Sequence, residues 1–327
     1  MEFLVIGLGS MGKRRIRLLK DNFQNIQIIG VDSKKSRRKE SEEKYKIITY
    51  EKIKEAIKNN DLTGVIVCTP PLSHEDIIKA CLNYGLHVFT EINLVKDGYK
   101  EIMNISNSKG LKLFLSSTMI YREELDYIYN KVESENQKVS YNYHVGQYLP
   151  DWHPWEDYKD FFVGDKRTNG CRELFAIELP WIIRTFGKID EIKCFKDKIS
   201  NLNINYPDTY SVILKHEDGH LGNLNLDIVS RQAIRSLEVY SENIHLFWDG
   251  TPTGLKEYDV ESEEVSNINT YNNINRNDKY ASNIIENAYL KELKIFIDKI
   301  KGNNNEKYTF ENDLYTLDII NQIEEGI

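Results

Sequence analysis

Two stretches of this 327-residue chain carry residues of the type and spacing that do chemistry. In the first, Gly7-Leu8-Gly9-Ser10-Met11-Gly12 follows the apolar run Glu2–Ile6 without a gap, and Asp32 ends a second apolar run over 26–31. Three glycines at this spacing have separate jobs. The first makes a tight turn, the second lets a pyrophosphate approach the backbone, and the third lets the next helix pack closely on the sheet. A helix over about 11–20 then turns its free N–H groups and positive dipole end to the phosphates, so Gly7, Gly9, Ser10, Met11 and Gly12 are candidate dinucleotide ligands. A carboxylate at Asp32 can accept both ribose hydroxyls of an adenosine, which favours NAD. Ser33, Lys34, Lys35, Arg37 and Arg38 come next. They hold the 2′-phosphate of NADP if the carboxylate turns away, and otherwise form a solvated helix start.

The second stretch runs from His153 to Glu178. Hydride loss from a carbinol needs the C–H held in place and a group to take the hydroxyl proton. His153 titrates in the range a general base needs, and Lys159 or Tyr158 can do the same work if desolvated. Arg172, Glu173 and Glu178 share one predicted helix, where a carboxyl buried against an apolar wall would rise in pKa and become a usable acid or base. Each has a blander role: a packed histidine, a solvated lysine, a structural carboxylate. Trp152, Trp155 and Tyr158 can stack on a sugar ring or staple their loop to the core. No His or Cys pair has metal-ligand spacing, so no metal is expected.

These groups need elements to position them. Strands alternate with helices through residue 120: weak strand 46–50, buried strand 62–68, strands 87–92 and 111–117, with helices over 34–45, 51–59, 74–84 and 98–109. That grammar predicts an α/β Rossmann-type doubly wound parallel sheet over 1–120. Thr69-Pro70-Pro71-Leu72-Ser73-His74 ends the clearest strand at the edge where open sheets bind ligands, and Ser73 is placed to cap the helix after it. Beyond Tyr121 the order changes. A helix over 122–135, a strand over 138–146 and a helix over 170–186 precede successive strands at 191–199, 209–216, 220–229, 236–241 and 243–248, with Glu217-Asp218-Gly219 as a hairpin turn. Residues 121–327 therefore form an α+β domain with an open, mainly antiparallel sheet. Residues 261–279 read as a mobile loop, and helices over 281–301 and 311–323 close the chain, free to pack back on the first domain.

Composition narrows the partners. The hydrophobic fraction of 40% and charged fraction of 29% are ordinary for a globular protein, and a net charge of −8 argues against a nucleic-acid groove. No stretch has the length of a membrane span, and the N-terminus enters a strand at once, which points to a cytoplasmic protein. Cys68, Cys81, Cys171 and Cys194 lack paired spacing and read as free thiols.

The glycine fingerprint, Thr69-Pro70-Pro71-x-x-His74, His87-Val88-Phe89-Thr90-Glu91 and the order of elements resemble the glucose–fructose oxidoreductase, inositol dehydrogenase and MocA-like family (Gfo/Idh/MocA) along nearly the whole chain. The resemblance implies an NAD(P)-dependent oxidoreductase acting on a sugar, amino sugar, nucleotide sugar or cyclitol, assembled as a homodimer or homotetramer through the open face of the second sheet. It implies that Thr69, Pro70, Pro71 and His74 line the nicotinamide side, with Glu91 near the nicotinamide ribose and Asn93 among the cofactor contacts. The departures bear on catalysis. The family's Glu-Lys-Pro is here Glu91-Ile92-Asn93, and its Asp-x-x-x-His falls on Glu173 and Ile177. Both usual proton-handling side chains are replaced by isoleucine. That leaves an oxidoreductase with an atypical relay through Glu173, with His153, Lys159, Glu178 or Arg172 assisting. It also leaves a redox-silent NAD and sugar binder, or a redox-neutral epimerase or eliminase using bound NAD.

Overall fold

Short apolar strands bounded by glycine and proline, each followed by a helix, can bury both faces only as a parallel sheet. The computed structural model describes residues 1–152, 156–277 and 283–326. Its first sheet comprises β1 (Glu2–Ile6), β2 (Gln27–Val31), β3 (Ile48–Tyr50), β4 (Gly64–Val67), β5 (His87–Thr90) and β6 (Leu113–Leu115), in the order β3-β2-β1-β4-β5-β6 with every pair parallel. The connecting helices are α1 (Ser10–Asn22), α2 (Lys35–Tyr45), α3 (Ile53–Asn59), α4 (His74–Asn83) and α5 (Tyr99–Lys109). The chain winds outward from β1 to β3 and then returns to β4, so the carboxyl ends of β1 and β4 flank the switch point where such sheets bind ligands.

Next come α6 (Glu123–Ser134), β7 (Ser140–Gly146), α7 (Gly170–Phe186), β8 (Ile189–Asp197), β9 (Thr209–His216), β10 (Leu221–Asp227), β11 (Ile234–Tyr240), β12 (His245–Trp248), β13 (Leu255–Asp259) and β14 (Glu264–Asn267). The second sheet runs β14-β13-β12-β11-β7-β10-β9-β8, antiparallel throughout except that β7 and β10 pair in parallel. Strict alternation splits its faces. Tyr141, Tyr143 and Val145 of β7 are buried, and Phe175 of α7 sets its ring edge on Tyr210 of β9 at 5.2 Å. The opposite face leaves Phe195, Ile213 and Leu221 exposed. The 217–219 turn forms as expected: Gly219, at φ +84°, donates to the His216 carbonyl at 2.8 Å. α8 (Glu286–Ile300) and α9 (Phe310–Glu325) close the chain.

Two compact units result, one of Met1–Ser117 with Tyr289–Leu314, the other of Thr118–Ala288 with Tyr315–Ile327. Phe296 of α8 packs on Phe3, Phe89 and Phe114 in the first unit's core.

Two local expectations are corrected. Ser73 does not cap α4, because a 3₁₀ turn over Pro71–Ser73 runs straight into the helix and gives Ser73 helical dihedrals. Its hydroxyl lies 2.7 Å from the Pro70 carbonyl instead. The stretch 261–279 is not uniformly loop: the Asp259 carboxylate takes the N–H groups of Glu261 and Ser262, pinning a turn that pairs β13 with β14. Residues 278 and 279 lie outside the described residues. Among the described residues no helix is long and apolar enough to cross a membrane.

Candidate functional site

The glycine loop is shaped by what it lacks. A Cβ on Gly7, whose φ is +92°, would stand 2.6 Å from the Cys68 carbonyl oxygen, and one on Gly12 would stand 1.9 Å from the Gly7 oxygen. Both glycines are required for α1 to start directly off β1. Gly9 differs. Nothing approaches its missing Cβ closer than the Arg37 guanidinium at 3.7 Å, so its open side admits a ligand. Gly9 is the N-cap of α1 with no side-chain cap, and no acid sits in the first turn. The first-turn N–H groups of Ser10, Met11 and Gly12 therefore keep their positive end for an anion, as a pyrophosphate requires.

Asp32, at the end of β2, does not turn away. One carboxylate oxygen accepts the Leu8 N–H at 2.8 Å and the other the Lys34 N–H at 2.8 Å. Each oxygen keeps a lone pair for a ribose hydroxyl. Of the cations that follow, Arg38 is spent on the carbonyls of Asp32 and Ser33 and on Glu51. Arg37 stands 3.6 Å from the Asp32 carboxylate, half-exposed beside Gly9. The residues present fit an adenine dinucleotide, with the carboxylate holding the ribose and Arg37 beside it as a cation that can turn toward a 2′-phosphate.

At the end of β4, Thr69 and Pro70 lead into the 3₁₀ turn, and His74 opens α4 buried at its base. Its Nδ1 lies 2.5 Å from Asn93 Oδ1 and its Nε2 lies 2.8 Å from the Thr69 carbonyl. Burial pushes this imidazole below its usual range. Glu91 is held by a residue the sequence reading passed over. The fully buried Arg15 of α1 donates to both Glu91 oxygens at 2.6 and 3.2 Å, to Glu292 of α8 at 2.7 Å and to Ser116 at 3.1 Å. The Ser116 hydroxyl and the Ser117 N–H complete the Glu292 carboxylate, each at 2.9 Å. Burial pushes the Glu292 carboxyl up against the pull of Arg15. The signal for Arg15 was its place three residues after Gly12, which puts it on the inward face of α1. Cys68, 3.8 Å from Glu91, is pushed well up by burial and stays a thiol.

In the second unit, Asn169 caps α7 by accepting the Arg172 N–H at 2.8 Å. The Arg172 side chain points to α9, donating to Glu324 and, at 2.8 Å, to Asn321. Glu178 is fully buried and saturated by the Tyr143 hydroxyl at 2.8 Å, the Trp181 indole at 2.8 Å and Arg235 at 3.0 Å. Glu173, on the same helix, is different. Its Oε2 is closed off from water and has no hydrogen-bond partner, and burial pushes the carboxyl from 4.5 up to about 8. Lys159 is exposed, the Tyr158 hydroxyl accepts the Asn203 N–H, and the Trp152 indole donates to the Gln147 carbonyl. His153 and Trp155 lie outside the described residues. The structure thus separates the second-stretch candidates: Arg172 and Glu178 are tied into the fold, Lys159 is solvated, and Glu173 alone of these carries a carboxyl oxygen with nothing bound to it.

Residues 1–115 match the model of the Gfo/Idh/MocA oxidoreductase family's NAD-binding Rossmann fold. The amino-terminal domain belongs to that family. Among curated proteins, the 4-carboxy-2-hydroxymuconate-6-semialdehyde dehydrogenase of Sphingobium sp. (strain NBRC 103272 / SYK-6) is 30% identical over 137 residues, 40% of this chain and 43% of that protein. The chain thus spans less than half the length of the curated relatives it matches. Solved structures extend the likeness to both units of this chain, as a likeness of fold. The myo-inositol 2-dehydrogenase of Lactobacillus plantarum superposes with a TM-score of 0.80 at 15% identity, over 100% of this chain and 96% of that one. The WlbA dehydrogenase of Chromobacterium violaceum, solved with NADH and UDP-GlcNAcA, gives 0.79 at 16% identity, over 100% and 93%.

Proposed function

We propose that this chain is an NAD(P)-dependent oxidoreductase acting on a hydroxyl of a sugar, amino sugar, nucleotide sugar or cyclitol, with Glu173 as the group that exchanges the hydroxyl proton. The observation that carries the reading is the carboxyl oxygen of Glu173, buried without a partner on the helix position where the family resemblance expects an aspartate. Desolvating a carboxyl without compensating it costs stability, and such a cost is retained where a proton has to be moved near neutral pH. The cradle supports the cofactor half: Gly7, Gly9, Ser10, Met11 and Gly12 for the pyrophosphate, Asp32 and Ser33 for the adenosine ribose, and Thr69, Pro70, Pro71, His74, Glu91 and Asn93 for the nicotinamide end. A cyclitol dehydrogenase and a dehydrogenase solved with a nucleotide sugar among the fold neighbours support the substrate class.

Bound NAD supplies the two-electron acceptor. Glu173, ionised, takes the proton leaving the hydroxyl oxygen; protonated, it returns that proton when a carbonyl is reduced. With the carboxyl at about 8, oxidation rises as pH passes that value and carbonyl reduction falls. NADH formation across a panel of sugars, nucleotide sugars and cyclitols tests the reading. Ile92 and Ile177 favour a second one, in which NAD is retained and no net NADH appears: a silent binder, or an epimerase or eliminase whose product shows by NMR. Purified protein with no saturable change in NADH fluorescence would overturn both. The exposed face bearing Phe195, Ile213 and Leu221 supports a homo-oligomer formed through the second sheet. A monomer by light scattering at working concentration would remove that part of the proposal.

A further inference from the structure

A chain of buried hydrogen bonds in the first unit ends on His74 and contains one proton too few. Asp313, in the first turn of α9, accepts the Tyr308 hydroxyl at 2.8 Å on one oxygen and the Tyr99 hydroxyl on the other. A carboxylate has no hydrogen to give, so Tyr99 spends its only one there. Tyr99 must then accept from Asn93, whose Nδ2 lies 2.7 Å away. That fixes the orientation of the Asn93 amide and turns its Oδ1 to His74 Nδ1 at 2.5 Å. Thr90 Oγ1, 3.2 Å from the same nitrogen, gives its hydrogen to the Glu91 carbonyl and so also offers only lone pairs. Nδ1 therefore needs a hydrogen. So does Nε2, which faces the Thr69 carbonyl at 2.8 Å. A neutral imidazole carries one.

We propose that Asp313 and the Thr69 carbonyl compete for the single N–H of neutral His74, Asp313 acting through Tyr99 and Asn93, so that the relay sets whether the Thr69–Pro70–Pro71 loop is tethered. Tyr99, Asn93 and Asp313 are positioning residues in this scheme. The functional side of it rests on the proposed reading that this loop lines the dinucleotide site; the proton count does not. With the relay intact the ring is the Nδ1–H tautomer and Thr69 faces a bare nitrogen. With the relay cut, Asn93 turns its amide to Nδ1, and Nε2–H binds the carbonyl.

Nitrogen NMR on ¹⁵N-histidine-labelled full-length protein reads this directly, with the His74 signal assigned by its loss in His74→Gln. At about pH 8.5, two units above the ordinary imidazole value, wild type is expected as the Nδ1–H tautomer. Tyr99→Phe keeps the ring packed 5.0 Å from Phe310 but cuts the relay, and is expected to switch His74 to Nε2–H. Asp313→Asn, which frees Tyr99 to donate to Asn93, is expected to do the same and stands in if the first variant fails to fold. NADH fluorescence should report about two- to fivefold tighter binding in both, because the tethered loop is no longer the minor form. Wild type already in the Nε2–H tautomer, or both variants keeping the wild-type tautomer, overturns the proposal. A switched tautomer with no NADH binding in any form, wild type included, leaves the proton competition standing and removes the cofactor reading.

Discussion

The glycine cradle and helix α7 are built on opposite rules. The cradle works through atoms that are missing: Gly7 and Gly12 have no room for a Cβ, Gly9 leaves its side open, and the donors are backbone N–H groups. α7 instead carries an atom that is present and unsatisfied, the Glu173 Oε2, five residues from a Glu178 whose oxygens are fully bonded. Two identical side chains on one helix thus stand in opposite surroundings. Residue type therefore identified the cradle, while only the surroundings distinguish one glutamate from the other.

The sharpest test of that contrast is to neutralise each carboxylate in turn. Glu173→Gln should lower turnover by roughly 10²–10⁴-fold while leaving the NADH dissociation constant unchanged, as expected for a lost proton acceptor. An unaffected rate would remove Glu173 from the site. Stability should move the other way. Glu173 holds its proton in the fold up to about pH 8 and loses it near 4.5 when unfolded, so the unfolded chain binds fewer protons across that window and stability falls as pH rises through it. Glu173→Gln should then be more stable than wild type by a few kcal/mol above pH 8, visible as a higher Tm. Glu178→Gln should instead destabilise, by about 3 kcal/mol in denaturant unfolding, because it leaves the largely buried Arg235 charge without its partner. If both substitutions shift stability in the same direction, the division of labour on α7 is wrong.

In the cradle, adding one carbon separates two kinds of glycine. Gly12→Ala should unfold the unit, since the new Cβ meets backbone. Gly9→Ala should leave Tm where it was and weaken NADH at least tenfold, a loss of about 1.4 kcal/mol or more, because its Cβ enters only the space the ligand uses. Equal Tm losses in the two would deny that Gly9 faces a ligand. A smaller effect is expected at Asp32→Ala. Losing the ribose acceptor and freeing Arg37 should move the NAD-to-NADP affinity ratio about tenfold toward NADP in paired titrations. The smallest belongs to Lys159→Ala: an exposed side chain should change turnover less than about twofold, within the range of ordinary surface substitutions.

The amino-acid sequence by itself determined the first sheet, the glycine turn, Asp32 and the turn at 217–219, because local rules govern them: apolar runs of strand length, a fixed glycine spacing, an obligatory positive φ. It also located α7 and its end at Phe186. Tertiary structure decided the rest. Whether Asp32 turns away depended on the Leu8 and Lys34 N–H groups, and whether Arg172, Glu173 or Glu178 was available depended on α9, on β7 and on Arg235. The relay from Asp313 to His74 joins residues 239 positions apart (313 less 74), which no local pattern foretells. The physical reason is one of range. Backbone geometry is set by neighbours in sequence, but the proton affinity and hydrogen-bond satisfaction of a side chain are set by whichever groups folding brings within about 3 Å of it.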